Sequence, residues 1–325
     1  MGKKTIGMIS SYKGLVQADW MWNQTPQPFG VWGDIQMQAT NPAPDFLLLY
    51  NFHEFQPAAP RGWWPRWQRQ PHSGPHSGPH SEQALQARFR GVPKARRIAL
   101  VREPPFEEKL QQRAADYQQA QLHCGYVSGP DDLAPVPNYM PAIWYVGESF
   151  QQLRDGGVPQ KSRACSWITS GIHRTANHRK RLSFLKLLQE NAFPFDLYGR
   201  DLPDWAIGYG MIANKSHALA PYYYNLAIEN YADNQWYVSE KLWDALLSWC
   251  LPIYYGGSAA DHLLPPGSFL RLPSLDQQGL AYLREITATP DAWYAAKDAI
   301  AEARQVILHK LNLVNWLADY VAQLD

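Results

Sequence analysis

The sequence has 325 residues, of which 46% are hydrophobic and 18% are charged, and its formal net charge at pH 7 is +1. The length predicts two domains, and the composition excludes a disordered chain. A net charge this close to zero also argues against nucleic-acid binding, which requires an excess of basic residues to neutralise phosphates.

The first half of the chain alternates apolar runs with amphipathic ones. The segment 105–122 is predicted to be a helix, with proline near its first turn. Buried strands are predicted where short apolar runs occur, at 3–10, 45–52, 96–105 and 142–146.

Between the second and third of these strands, the tetrapeptide P-H-S-G recurs and spaces three histidines four residues apart, at His72, His76 and His80. On a helix that spacing would place the imidazoles on one face, as in a metal site. Proline and glycine in every repeat are incompatible with a helix. We therefore predict a flexible surface loop at about 68–82 and favour it over a metal site.

The second half repeats the alternation after a linker predicted at 152–163, which is rich in glycine and charge. Strands are predicted at 164–170, 195–200, 222–230 and 250–257, and helices at 176–191, 239–249 and 291–324. This pattern predicts an open α/β sheet in each half, with a ligand bound between the halves at the carboxyl ends of strands. We expect an amino-terminal lobe at 1–158 and a carboxyl-terminal lobe at 159–325.

A polar cluster stands where the helix at 239–249 begins. Ser239 is a good N-cap, which places Glu240 and Lys241 in the first turn beside unpaired backbone N–H groups. Such a helix start can bind a phosphate, with Lys241 as its counter-charge and Glu240 as an acceptor for a ribose diol. The alternative is ordinary capping, in which the acid complements the helix dipole. The spacing alone leaves both interpretations open.

A second basic helix start precedes the helix at 176–191, where four cations are clustered: Arg174, Arg179, Lys180 and Arg181. Arginine binds phosphate in bidentate fashion, although an isolated basic run is more often a solvated face. Two such helix starts in one α/β lobe together favour a phosphorylated ligand.

In the first lobe, Glu103 follows an apolar strand and is itself followed by Pro104 and Pro105. A carboxylate at the carboxyl edge of a sheet can face an interlobe cleft and act as a general base, whereas the alternative is an exposed loop acid. The sequence contains no dinucleotide-binding, P-loop or zinc-protease motif and no Asp-x-Asp pair. A bound diphosphate would therefore have to be neutralised by the protein's own cations.

Three stretches together resemble the signature of the α-1,3/4-fucosyltransferases, glycosyltransferase family 10: "YYYNLAIEN" (222–230), "YVSEKLWDALLSWCLPIYYGG" (237–257) and "PPGSF" (265–269). Agreement is weaker over 167–200 and at "REPP" (102–105), and the segment 231–236 departs from the pattern. The resemblance implies an α/β fold of the GT-B type, in which two Rossmann-like lobes face each other across a cleft. It implies that the lobe at 1–158 binds the acceptor and that the lobe at 159–325, with its C-terminal helical segment, binds GDP-fucose. It also implies inverting, metal-independent transfer of L-fucose from GDP-β-L-fucose to an oligosaccharide, α-1,3 or α-1,4 to N-acetylglucosamine or glucose.

Site roles follow from the same resemblance. Glu103 is implied as the general base, and Lys241 and Arg181 as the cations on the diphosphate, with Arg181 preferred to Arg179. The other positions implied in donor binding are Glu240, Tyr237, Asn230, Glu229 and Ser170. No cofactor is implied. The alternatives are a transferase that uses another nucleotide sugar and a non-catalytic glycan-binding protein.

The expected location is cytoplasmic. Only three cysteines are present, at Cys124, Cys165 and Cys250, without a C-x-x-C motif, which indicates a reducing compartment. The first residues lack the apolar core of a signal peptide, and no apolar run approaches the length of about 18 residues that a membrane span requires. We expect at most peripheral contact with the inner face of a membrane.

Overall fold

The computed structural model describes residues 2–12, 19–55 and 82–324. The loop predicted at about 68–82, with its P-H-S-G repeats, lies outside these ranges except for its last residue. Within them the chain forms two β-sheets, each flanked by helices, as predicted for an α/β protein. No helix of the described ranges is both long and apolar enough to cross a membrane.

The first sheet has the order β2-β3-β1-β4-β5-β6-β7 and is parallel except for the β2–β3 pair. Its strands are β1 (Lys4–Ile9), β2 (Val31–Trp32), β3 (Ile35–Met37), β4 (Phe46–Tyr50), β5 (Arg97–Leu100), β6 (Tyr126–Gly129) and β7 (Val136–Pro137). The helices in this half are α1 (Glu82–Arg88), α2 (Leu110–His123) and α3 (Phe150–Asp155). All five residues of β4 are buried, since both faces of this sheet are covered.

The second sheet is parallel throughout, in the order β12-β11-β10-β8-β9. Its strands are β8 (Arg163–Ser170), β9 (Asp196–Arg200), β10 (Tyr222–Ile228), β11 (Leu251–Tyr255) and β12 (Leu270–Arg271). The helices that follow α3 are α4 (Ala176–Glu190), α5 (Glu240–Leu247), α6 (Ala259–Leu263), α7 (Gln277–Ile286), α8 (Asp291–Gln305) and α9 (Leu313–Ala322). The strand order reverses between β8 and β10, and open α/β sheets bind ligands at such a switch point.

The prediction of a strand at 142–146 is wrong. Apart from an isolated bridge between Ala142 and Asn312, this segment is irregular. Its backbone N–H groups have partners other than a neighbouring strand: Ala142 donates to the Leu311 carbonyl (2.6 Å), and Tyr145 donates to Asp244 (2.8 Å). The segment is apolar because it is buried between the lobes. The predicted linker at 152–163 is also partly helical, because α3 extends to Asp155.

The last helix, α9, corrects the expected lobe boundary. Leu313, Val314, Leu317 and Val321 belong to the same buried cluster as Ile6 and other side chains of the first sheet. The prediction placed residues 159–325 together in the carboxyl-terminal lobe. By its packing, however, α9 belongs to the amino-terminal lobe, since its apolar stripe covers one face of the first sheet.

Candidate active site

A cavity of about 850 Å³ lies between the two sheets, which is a volume typical of small-molecule sites. The first lobe contributes Asn51 and Glu103, which follow β4 and β5, and the second contributes the carboxyl ends of β8, β9 and β10. The cavity therefore occupies the switch point of the second sheet and is closed from the other side by the first lobe.

Seven of the nine predicted site residues line this cavity: Glu103, Ser170, Arg181, Asn230, Tyr237, Glu240 and Lys241. The other two do not. Glu229 is buried behind the cavity wall, and Arg179 is exposed on α4, where it donates to the His173 carbonyl (3.4 Å).

Arg181 is a buried cation that makes no ion pair within the described residues. Its side chain is only 2% exposed. One guanidinium nitrogen donates to Asn230 Oδ1, and the other donates to the carbonyls of Ser170 (2.8 Å) and Ile172 (3.2 Å). Its Nε has no partner. Burial lowers the pKa of Arg181 to about 10, so the group stays protonated at neutral pH and is available for an anion.

At the start of α5, Glu229 holds the first turn together. Its carboxylate accepts from the Ser239 backbone N–H (2.8 Å), the Ser239 hydroxyl (2.6 Å) and Lys241 Nζ (3.1 Å). Burial alone would lower the pKa of Lys241, but Glu229 and Glu240 outweigh it and the pKa is raised. Glu229, predicted as a donor-binding residue, therefore positions Ser239 and Lys241 from behind.

Glu240 is surrounded by cations from both lobes. Burial would raise its pKa, but Lys241, Lys215 and Arg102 together lower it to about 2. The carboxylate is consequently ionised at every pH of interest and can accept hydrogen bonds from a diol. Arg102 belongs to the first lobe and Lys241 to the second, so the charges of both lobes act on Glu240.

Two further site residues, Lys215 and Asp244, were missed from the sequence. Lys215 Nζ donates to Asp244 (2.6 Å), whose other carboxylate oxygen accepts from the Tyr145 backbone N–H (2.8 Å). Burial raises the pKa of Asp244, and the positive charge of Lys215 makes this rise smaller. Asp244 could have been found, because it lies four residues after Glu240 on α5 and hence on the same helix face. Lys215 follows an irregular segment that carries no periodic signal.

Glu103 is held in place from the first lobe. Its carbonyl accepts from Arg113 (2.6 Å), which is itself paired with Asp131 (2.7 Å). The Tyr12 hydroxyl lies near the Glu103 carboxylate. Burial raises the pKa of this phenol most, and the negative charge of Glu103 raises it further. Asn51, which has a positive φ of 47°, accepts from the Arg102 backbone N–H (2.6 Å) and so orients the turn that carries Glu103.

The segment 231–236, where the chain departs from the family pattern, connects the lobes. Asn234 accepts from the backbone N–H groups of Trp236 (3.0 Å) and Tyr237 (2.8 Å) and donates to the Pro130 carbonyl of the first lobe (2.7 Å). Tyr237 is buried in the cavity wall, and burial followed by Glu229 and Glu240 raises its pKa far above its ordinary value. The Tyr237 hydroxyl therefore stays protonated at neutral pH and can donate a hydrogen bond.

The cavity as a whole favours an anion. Its lining includes three acids, Glu103, Glu240 and Asp244, and five basic residues, Arg102, Arg181, Arg200, Lys215 and Lys241. In the part of the chain that the structure describes, no cluster of three or more histidine, cysteine or acidic side chains is arranged to hold a metal ion.

The fold is that of the GT-B glycosyltransferases. An α-glucosyltransferase in complex with UDP and a 13-mer DNA containing an HMU base is similar over 99% of both chains, with a TM-score of 0.50 at 8% identity. An α1,3-fucosyltransferase solved with GDP-fucose is similar over 93% of this chain and 82% of its own, with a TM-score of 0.42 at 17% identity.

Residues 158–295 match the family model described as glycosyltransferase family 10 (fucosyltransferase), C-terminal. The part of the chain that resembles glycosyltransferase family 10 by its motifs is therefore the part that matches the family model. Alpha-(1,3)-fucosyltransferase C of Drosophila melanogaster is 36% identical over 74 residues, which are 22% of this chain and 17% of that protein. The match therefore spans less than a fifth of the relative's length.

Proposed function

We propose that this protein transfers L-fucose from GDP-β-L-fucose to a hydroxyl of an oligosaccharide acceptor, with inversion at the anomeric carbon and without a metal ion. The proposal rests on the state of Arg181. It is a buried, protonated guanidinium with an unpartnered Nε, and it lines the same cavity as Glu103 of the opposite lobe. Leaving a buried donor unpaired is costly, which favours a bound anion as its natural partner.

The donor half of the proposal rests on the second lobe. The family 10 match covers it, and a related α1,3-fucosyltransferase has been solved with GDP-fucose. We assign the diphosphate to Arg181 and Lys241, and ribose or fucose hydroxyls to Glu240 and Tyr237. Negative charge grows on the departing GDP, so cations already in place stabilise the transition state more than the ground state.

The acceptor half rests on Glu103. Its carboxylate removes the proton from the acceptor hydroxyl while that oxygen attacks the anomeric carbon. The bond from that carbon to the β-phosphate oxygen breaks on the opposite face, and GDP leaves with the electron pair. The β-linked donor thus gives an α-linked product. The Arg113 side chain, which donates to the Glu103 carbonyl, fixes the backbone that carries the base.

A donor panel tests the proposal. Purified protein is incubated with GDP-fucose, GDP-mannose, UDP-glucose and UDP-galactose, each with a panel of free oligosaccharides that includes β-galactosyl-N-acetylglucosamine. We expect nucleotide release and glycan mass gain with GDP-fucose alone, at a rate unchanged by EDTA. Transfer from another donor would replace fucose by that sugar. Glycan binding with no nucleotide release from any donor would indicate a non-catalytic lectin.

A further inference from the structure

An apolar strip lies on the protein surface beside the cavity and has no part in the proposed transfer. It consists of Trp205, Ile207, Tyr209 and Met211, which are 44%, 83%, 64% and 79% exposed. The residues between them are alanine or glycine. Four large apolar side chains thus lie within seven consecutive residues that contain no charged group.

The apolar strip lies beside β9, the edge strand of the second sheet. The Tyr209 backbone N–H donates to the Leu197 carbonyl, and Gly199 donates to the Gly210 carbonyl, both at 2.8 Å. The segment therefore runs alongside β9 in the same direction. The Tyr209 ring stacks on Tyr198, with centroids 5.2 Å apart and planes at 21°. These contacts hold four large apolar side chains in solvent, which is unusual for a surface without a partner.

The strip leads into the cavity. Met211 lines the cavity together with Ile212 and Ala213, which follow it, and with Gly199 at the end of β9. Gly210 has a φ of 79°, a conformation that favours glycine and lets the chain turn towards the cavity. The strip therefore adjoins the cavity at its Met211 end.

We propose that the apolar strip binds the hydrocarbon chain of a glycolipid acceptor whose sugar end enters the cavity. This inference rests on the proposed function and names the substrate class. A nucleotide sugar has no apolar part that could cover the strip, so the acceptor is the reactant to which the strip belongs. Its continuity with the cavity fits a molecule that occupies both at once.

Two other occupants fit less well. The exposed acids Asp201 and Asp204 precede the strip, and they disfavour the surface of an anionic bilayer. A second copy of the chain would need roughly 20–30 residues on each side for a stable interface, and the strip has four. A single hydrocarbon chain matches its lack of charge.

The test compares one glycan with two aglycones. The best free-sugar acceptor from the donor panel is prepared as a methyl glycoside and as an octyl glycoside, both used below micellar concentration. We expect a KM at least about tenfold lower for the octyl glycoside, since each buried methylene adds affinity. The double variant Trp205→Ser/Ile207→Ser should lose this preference and keep its KM for the methyl glycoside. Leu122→Ser, which removes a 63% exposed leucine from α2, should retain it.

Equal KM values for both glycosides in the wild type, or a preference that survives in the double variant, would overturn the inference. So would vesicle binding without aglycone preference, which indicates a bilayer surface, or a dimer that the double variant dissociates. If no sugar is transferred, the proposed function fails. The strip is then tested by octyl glucoside binding, which should shift tryptophan emission to the blue in the wild type and much less in Trp205→Phe. An equal shift in both proteins, or none in either, would overturn the inference.

Discussion

At the scale of the residue, the candidate site depends on side chains that hold other side chains. The sequence motifs identified the chemical groups at the start of α5, yet they did not separate Glu229, which is buried behind the helix start, from Glu240, which lines the cavity. That difference is set by how the end of β10 meets α5 in space. Residue spacing along the chain does not contain this information.

Glu103→Gln should abolish most of the transfer and leave donor binding intact. The amide keeps the shape of the side chain but cannot take the acceptor proton, and general bases are typically worth about 10²–10⁴-fold in rate. The turnover number and the GDP dissociation constant are the measurements. Glu107→Gln, in the exposed turn before α2, is the matched control and should behave as wild type. Near-wild-type turnover of Glu103→Gln would exclude it as the base.

Arg181→Lys should weaken GDP binding by at least about tenfold, while guanosine binding stays unchanged. Lysine keeps the charge but cannot make the planar, two-sided contact of a guanidinium, and it loses the contacts to Asn230 and the Ser170 carbonyl. Calorimetric titration with both ligands separates the phosphate from the base. Arg179→Lys, two residues away on the exposed side, should change neither constant. Equal losses in the two variants would contradict the assignment.

At the scale of the element, the capping box at the start of α4 contains a histidine, which can titrate. Thr175 and His178 form a capping box, with the Thr175 hydroxyl and His178 Nδ1 2.8 Å apart, and the imidazole packs on Phe106 of the first lobe at 5.1 Å. Burial, followed by Arg181 and Lys241, lowers the pKa of His178 to about 4. The folded protein thus keeps this ring neutral at a pH where the unfolded chain is protonated.

His178 should therefore make the protein less stable in acid. Between the unfolded pKa of about 6.5 and the folded value of about 4, the unfolded state binds more protons, so stability falls as pH decreases across this window. The loss is at most about 3 kcal/mol. His178→Gln retains the capping box, because glutamine suits this position, and should reduce the difference in unfolding free energy between pH 7 and pH 5.

Urea unfolding at the two pH values measures this effect. His217→Gln, which replaces an exposed histidine of the same lobe, should leave the difference as large as in the wild type. A pH dependence of His178→Gln equal to that of the wild type would assign acid sensitivity to other groups.

Regular elements could be predicted where the hydrophobic period was strong, as for β4, β10 and α5. The segment 142–146 misled the prediction because its apolar character reflects burial at the junction of the lobes. Its backbone bonds to Asp244 and to the residues before α9 come from positions about 100 to 170 residues away in the chain. No local sequence pattern indicates such distant partners. Lys215 was missed for the same reason, because its partner Asp244 is distant in the chain.

At the scale of the whole molecule, the two lobes are joined by hydrogen bonds such as that from Asn234 to the Pro130 carbonyl and by the packing of α9 on the first sheet. Leu317→Ala should lower the free energy of unfolding by about 2–5 kcal/mol, because Leu317 is fully buried in the core of the first lobe. Leu324→Ala, a 47% exposed leucine just beyond α9, should cost much less and is the control. Denaturant titration followed by tryptophan fluorescence gives both values, and equal values would show that α9 contributes little to this core.

The packing of α9 on the first sheet also affects how the protein folds during its synthesis. The amino-terminal lobe is translated first, but four apolar side chains of its core belong to residues 313–322. Until that helix leaves the ribosome, one face of the first sheet stays open to water, while the second lobe already has its strands and most of its helices. We expect the lobe that is synthesised first to mature last, and to need shielding from aggregation in the interval.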